Sequence, residues 1–233
     1  MSGDNNYEEY ITEEWRLFVE DPRRAVNSLE AVNCREIRRV LDVGCGAGQE
    51  LLPFVSNKNA FGVGVDIAPD VGMKGMALFQ TRVPHARVSF ARSVAEDLPF
   101  AANTFDLVIC RLALPYTDNR RALQEVARVL RPGGAFLLKI HHPRYYLRKL
   151  RNALSSADLL STLHSARVLG TGVFYLITGS QPRNRLTAGG ETFQTASMLE
   201  KELKPLNLRV SHELADSNNL TPSFLIIKES KEE

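Results

Sequence analysis

Apolar positions change period several times along the chain, and each change marks an element. Tyr10, Ile11, Trp15, Phe18 and Val19 recur at helical spacing, break at Pro22, and resume at Ala25, Val26 and Leu29, which predicts two helices. Short apolar runs follow at Val40 to Val43, Phe61 to Val65, residues 87–91, Leu107 to Cys110 and Ala135 to Ile140. Bounded by Gly, Pro, Asn or Asp, runs this short read as buried strands. Helical stretches separate them: one opening at Glu50, one from Asp70 to Arg82, and one from Asp118 to Leu130. Asp118 suits the N-cap of the last, and Arg131-Pro132-Gly133-Gly134 breaks it. Strands alternating with helices predict a mostly parallel, doubly wound α/β sheet with helices on both faces.

The alternation fails after residue 141. Arg144-Tyr145-Tyr146-Leu147-Arg148-Lys149-Leu150-Arg151 is basic and aromatic, a helical stretch runs to about Leu169, Val173 to Ile177 reads as a strand, and Gln181 to Gly190 is polar. The core pattern returns with a last helix in Glu191 to Glu202 and closing strands at Leu208–His212 and Phe224–Ile227. The expected organisation is an N-terminal helical segment (1–35), a core (36–141), a variable insertion or cap (142–190) and closing elements (191–229).

Composition narrows the class. The 233 residues suit one domain with an insertion, and a formal charge of +2 announces no nucleic-acid partner. Three cysteines without C-x-x-C spacing support neither a disulfide framework nor a metal site, so no metal is expected. The acidic, polar start is no signal peptide, and no apolar run nears the ~18 residues that span a bilayer. These readings predict a cytoplasmic location.

Candidate chemistry gathers where strands end. Val40-Leu41-Asp42-Val43-Gly44-Cys45-Gly46-Ala47-Gly48 is a strand feeding a glycine turn that opens a helix. The dinucleotide fingerprint G-x-G-x-x-G needs a third glycine at Gln49 or Leu51, and neither is one. Asp66, followed by Ile67, lies about 20 residues beyond the loop at the tip of the second strand. A carboxylate there offers two acceptors to the two donors of a ribose diol. Ser93-Val94-Ala95-Glu96-Asp97-Leu98-Pro99-Phe100 follows the third strand, and Cys110-Arg111-Leu112 ends the fourth. In such sheets ligands sit beyond the carboxyl ends of the strands, so these segments share one edge.

The G-x-G-x-G loop with Asp42 before it resembles the signature loop of class I S-adenosylmethionine (SAM)-dependent methyltransferases. The octapeptide at 93–100 is similar to the G-D-A-E-x-L-P-F element of the large family that includes the quinone-biosynthesis methyltransferases. Val94 replaces the residue that receives the adenine amino group there. Phe105-Asp106-Leu107-Val108 and Leu130-Arg131-Pro132-Gly133-Gly134 also fit that family. The resemblance implies a Rossmann-like sheet with an antiparallel final strand, and SAM as cofactor with S-adenosylhomocysteine as product. It assigns cofactor binding to Asp42, Gly44, Cys45, Gly46, Gly48, Asp66, Ile67, Ala95, Glu96, Asp97 and Arg111.

Methyl transfer needs an aligned nucleophile, and a base where the acceptor loses a proton. His141 and His142, just after the fifth strand, are the candidate bases, since histidine titrates near neutrality. The expected activity is methyl transfer to a small molecule. RNA or protein methylation on the same core, or a non-catalytic SAM-binding subunit, remain the alternatives.

Overall fold

The computed structural model describes residues 3–182 and 191–230. Two helices, α1 (Gly3–Glu20) and α2 (Arg23–Ala31), precede β1 (Arg39–Val43). A 3₁₀ turn and α3 (Leu52–Asn57) lead to β2 (Phe61–Asp66), α4 (Val71–Arg82) and β3 (Val88–Arg92). Next come β4 (Phe105–Arg111), α5 (Asn119–Val129) and β5 (Leu130–Lys139). The cap is a helical hairpin, α6 (Pro143–Ser155) and α7 (Leu159–Thr178), before α8 (Ala196–Leu203), β6 (Leu208–Glu213) and β7 (Ser223–Lys228).

Among the described residues the strands form one seven-stranded sheet in the order β3-β2-β1-β4-β5-β7-β6. The first five run parallel, and β7 pairs antiparallel with both β5 and β6. Period-two alternation divides the core between the two faces. Leu41, Val43, Val108 and Cys110 meet Leu123, Val126, Leu199 and Leu203 of α5 and α8. Val40, Leu107 and Ile109 meet Trp15, Phe54 and Phe79 on the other face. Trp15 touches Phe79 edge-on at 5.2 Å, so the N-terminal helix is anchored by packing. Each such fully buried apolar side chain contributes about 1.5–3 kcal/mol.

The structure revises three boundaries. Residues Val173 to Ile177 are not a strand but the last turns of α7. Asp158 caps that helix by accepting from the Ser161 N–H, and Ser165, Val168, Gly172 and Tyr175 bury one face at helical spacing. A short apolar run inside such a frame continues the helix, because it has no strand neighbour to pair with. β5 begins at Leu130 rather than Ala135, paired with Phe105 across a bulge. Residues Glu191 to Gln194 precede α8 as a buried segment without helix or strand. Most of the predicted polar stretch 181–190 lies outside the described residues.

Candidate active site

β1 ends in the glycine loop, whose main chain is tied to β2 by Gly44 and Cys45 N–H donating to Val65 O at 2.8 and 3.0 Å. Gly44, Gly46 and Gly48 all have positive φ (71°, 53° and 75°), a region closed to most side chains. A Cβ on Gly44 would stand 2.2 Å from Ala113 Cβ, and one on Gly48 2.7 Å from the Phe90 ring. The loop therefore packs against its own protein at those two glycines, two of the residues that the resemblance assigns to cofactor binding.

Asp66 is the hinge of the site. Its Oδ2 accepts from Gly46 N–H and its Oδ1 from Ala68 N–H, each at 3.0 Å. Each oxygen keeps a lone pair for a further donor. Two cavities share Asp66, Gly44, Arg111 and Leu112.

The first cavity, about 690 Å³, is walled by Gly46, Cys45 and the charged side chains of Glu14, Arg24, Arg111, Lys139 and Asp216. Beneath it runs a buried ion network. Glu50, 3% exposed, pairs with Arg24 and, at 3.3 Å, with Arg111. Arg111 also pairs with Asp216, which accepts from Lys139 Nζ at 2.8 Å. Burial pushes the Asp216 carboxyl upward, but the Arg111 and Lys139 cations overrule it and hold it at about 2. Burial, with the Glu50 carboxylate close by, raises Asp42 well above the ordinary carboxylate range. Its Oδ2 has no partner among the described residues.

The second cavity, about 830 Å³, runs from the ends of β2 and β3 to those of β4 and β5. One side carries Ile67, Ala68 and Ser93 to Glu96; the other carries Tyr116, Thr117, His141 and Tyr145. Asp97 and Gly48 line neither cavity, and Glu96 Oε1 accepts from Asp118 N–H at 2.7 Å. Val94 stands in the wall where an adenine-edge acceptor was expected.

The structure separates the two histidines. His142 N-caps α6, its Nδ1 accepting from Arg144 N–H at 3.2 Å. His141 is buried, stacks on Tyr145 with ring centroids 4.3 Å apart, and faces the second cavity. Burial, with Lys149 nearby, drives it down to about 4. Its Nδ1 lies 3.3 Å from Tyr146 Oη, and Tyr146 O–H donates to Glu191 Oε1 at 2.9 Å. Glu191 Oε2 stands 3.0 Å from His164 Nε2. The buried segment holds this chain together, with Gln194 N–H donating to His141 O and Thr192 N–H to Pro115 O, each at 3.0 Å. Gly172 of α7 is where Phe193 passes: a Cβ there would be 2.3 Å from its ring.

Sequence reasoning missed Arg24, Glu50, Lys139, Asp216, Tyr146, His164 and Glu191. An acid such as Glu50 beside a glycine loop and ahead of Leu51-Leu52 is the one local signal available. The others become neighbours only through the fold.

The two cavities fit the parts of SAM. The charged first cavity suits an amino-acid zwitterion, Asp66 suits a ribose diol, and the less polar second cavity suits a base and an acceptor. Among the described residues no cluster of three His, Cys, Asp or Glu side chains could hold a metal ion, and no helix is long and apolar enough to cross a membrane.

Residues 41–138 match the methyltransferase domain family. The chain is 36% identical over 115 residues to the uncharacterized methyltransferase YcgJ of Bacillus subtilis, covering 49% of this chain and 45% of that one. It is 36% identical over 126 residues to a fatty-acid O-methyltransferase of Mycolicibacterium smegmatis, covering 53% and 44% respectively. The chain thus spans less than half the length of these two relatives. An O-methyltransferase family protein of Burkholderia thailandensis shares the fold, with TM-score 0.66 and 17% identity over 99% of this chain and 61% of that one.

Proposed function

We propose, for a chain whose core is a class I SAM-dependent methyltransferase domain, that it transfers the SAM methyl group to an oxygen of a small, largely apolar acceptor. The observation that carries this reading is a pair of cavities that meet at Asp66, one polar and ionic, the other walled by Tyr116, His141 and Tyr145. When bound, SAM supplies a methyl carbon made electrophilic by its sulfonium. Gly46, Asp66 and the Arg111 network would hold and orient it, and Ile67, Ala95 and Glu96 would line the side that takes the adenine.

His141 takes the acceptor's proton in this reading. Tyr146 gives its own proton to Glu191, so its hydrogen bond with His141 is made when Nδ1 carries the hydrogen. That tautomer leaves the Nε2 lone pair free for the acceptor. At about 4 the imidazole is neutral at physiological pH but a weak base. It suits an acidic phenol better than an amine, whose proton it would leave in place; a carboxylic acid arrives already ionised and needs no base. The relative named as a fatty-acid O-methyltransferase supports an oxygen acceptor.

Isothermal titration with S-adenosylhomocysteine, with NAD as control, tests the cofactor. Methyl transfer across a panel of carboxylic acids, phenols and amines tests the acceptor. Micromolar binding of the first titrant, with turnover confined to the oxygen acceptors, is expected. Turnover confined to amines would overturn the acceptor class, and binding of neither titrant would leave a non-catalytic subunit as the better reading.

A further inference from the structure

The cap hairpin is built inside out. On α7 the buried face is Ser165, Val168, Gly172 and Tyr175, two of them polar and one a glycine. The opposite face carries two exposed apolar pairs, Leu160 with Leu163 near its start and Phe174 with Ile177 near its end, Leu160 at 81% and Ile177 at 77%, with Arg167 and Gly170 between them. At 1.5 Å per residue the two pairs together span about 26 Å of the helix. α6 adds Leu147 and Leu154, both exposed. Exposed apolar clusters gathered on one side of a basic hairpin mark an interaction site.

Charge selects the partner. From Pro143 to Pro182 the cations are Arg144, Arg148, Lys149, Arg151 and Arg167, against one acid, Asp158, which is engaged as the α7 N-cap. Two copies face to face would set these cations against each other. A nucleic acid would leave the leucines uncovered. A surface that is both anionic and apolar satisfies both features.

We infer that the outward faces of α6 and α7 dock on an anionic phospholipid bilayer and lie in its interface. No described helix is long and apolar enough to span, so the hairpin lies on the membrane instead. α6 starts two residues after His141, and its Tyr145 lines the second cavity. Docking therefore brings that cavity within reach of acceptors dissolved in lipid. The docking stands on its own, and only this last consequence rests on the methyl-transfer reading.

The test is flotation of the full chain with vesicles of phosphatidylcholine alone or mixed with phosphatidylglycerol, beside S-adenosylhomocysteine titration of each variant. The chain should float with the anionic vesicles, much less with neutral ones, and be released by salt. Replacing Leu160, Leu163, Phe174 and Ile177 by serine should reduce binding at least tenfold and leave S-adenosylhomocysteine affinity unchanged. Neutralising three cations together (R148Q, K149Q, R151Q) should weaken binding on the order of 100-fold, from about 1 kcal/mol per charge near an anionic surface. A chain that floats but binds no S-adenosylhomocysteine supports the docking and removes the methyl-transfer reading. No flotation, or equal flotation of the four-serine variant, overturns the inference. So does a dimer, seen by light scattering, that the four-serine variant abolishes, since the face would then belong to a second copy.

Discussion

The loop edge and the cap treat burial in opposite ways. Under the glycine loop the chain hides charge: Glu50, Arg111 and their partners sit in a low-dielectric layer at the strand ends. In the cap it exposes apolar side chains and keeps Ser165 and Gly172 inside. Both arrangements run against the preference that fills the rest of the sheet, and each is intelligible as a surface for something the chain binds. Fixed buried charges orient a polar ligand, and an exposed apolar face needs a partner to cover it. Four experiments sharpen the contrast.

The largest effect belongs to the buried charge. Glu50→Ala should cost about 3–5 kcal/mol in urea unfolding, because Arg24 and Arg111 stay behind without that acid. Asp216 remains to Arg111 and Glu14 to Arg24, so the protein should still fold. A loss below ~1 kcal/mol would class the network with ordinary surface pairs and remove the distinction between the two regions.

Asp66→Ala comes next, read in ligand affinity. Calorimetry should show S-adenosylhomocysteine binding weakened by about 1.5–3 kcal/mol, the range for hydrogen bonds to a charged group. Gly46 and Ala68 N–H lose their acceptor at the same time, so the loop relaxes as well. Unchanged affinity would move the diol contact elsewhere in the two cavities.

These two residues also show how far the sequence could be read. Asp66 was legible as a candidate because its position follows from local order: a strand, an acid at its tip, and a fixed distance from the glycine turn. The sheet was legible for the same reason, since each buried run announces itself and β7 alone departs from the parallel direction. Glu50 was not, for its meaning comes from Arg24, Arg111 and Asp216, which are joined to it only by tertiary structure. Val173 to Ile177 misled because an apolar run states that it wants cover, not whether a sheet, a core or a membrane provides it. His141 and His142 looked alike as neighbours, and the start of α6 right after them made one its N-cap and left the other stacked on Tyr145.

The third effect is a pH dependence confined to the cap side. Burial lowers His141 from the ordinary 6.5 to about 4, so the unfolded chain binds more protons between those values. Stability is then complete above pH 6.5 and is lost as the pH falls toward 4, with a cost on the order of 2 kcal/mol at pH 5. The groups around the ring are Tyr116, Tyr145, Tyr146 and the Lys149 cation, and His141→Gln should flatten that stretch of the melting curve. The same variant should lower turnover and spare S-adenosylhomocysteine affinity. A wild-type pH profile in His141→Gln would place the titration on another group.

The smallest effect is the most discriminating for the cap. Ile177→Ser and Leu160→Ser, at positions 77% and 81% exposed, should change unfolding free energy by no more than ~0.5 kcal/mol, as surface substitutions do. Val168→Ser, at a fully buried position on the opposite face of the same helix, should cost several times more, because it removes packing and buries an added hydroxyl. If the two exposed positions matched Val168 in cost, the apolar pairs would already be covered within the free chain. Near-neutrality at Leu160 and Ile177 beside a large loss at Val168 means that folding leaves their apolar surface in water, available to whatever the cap binds.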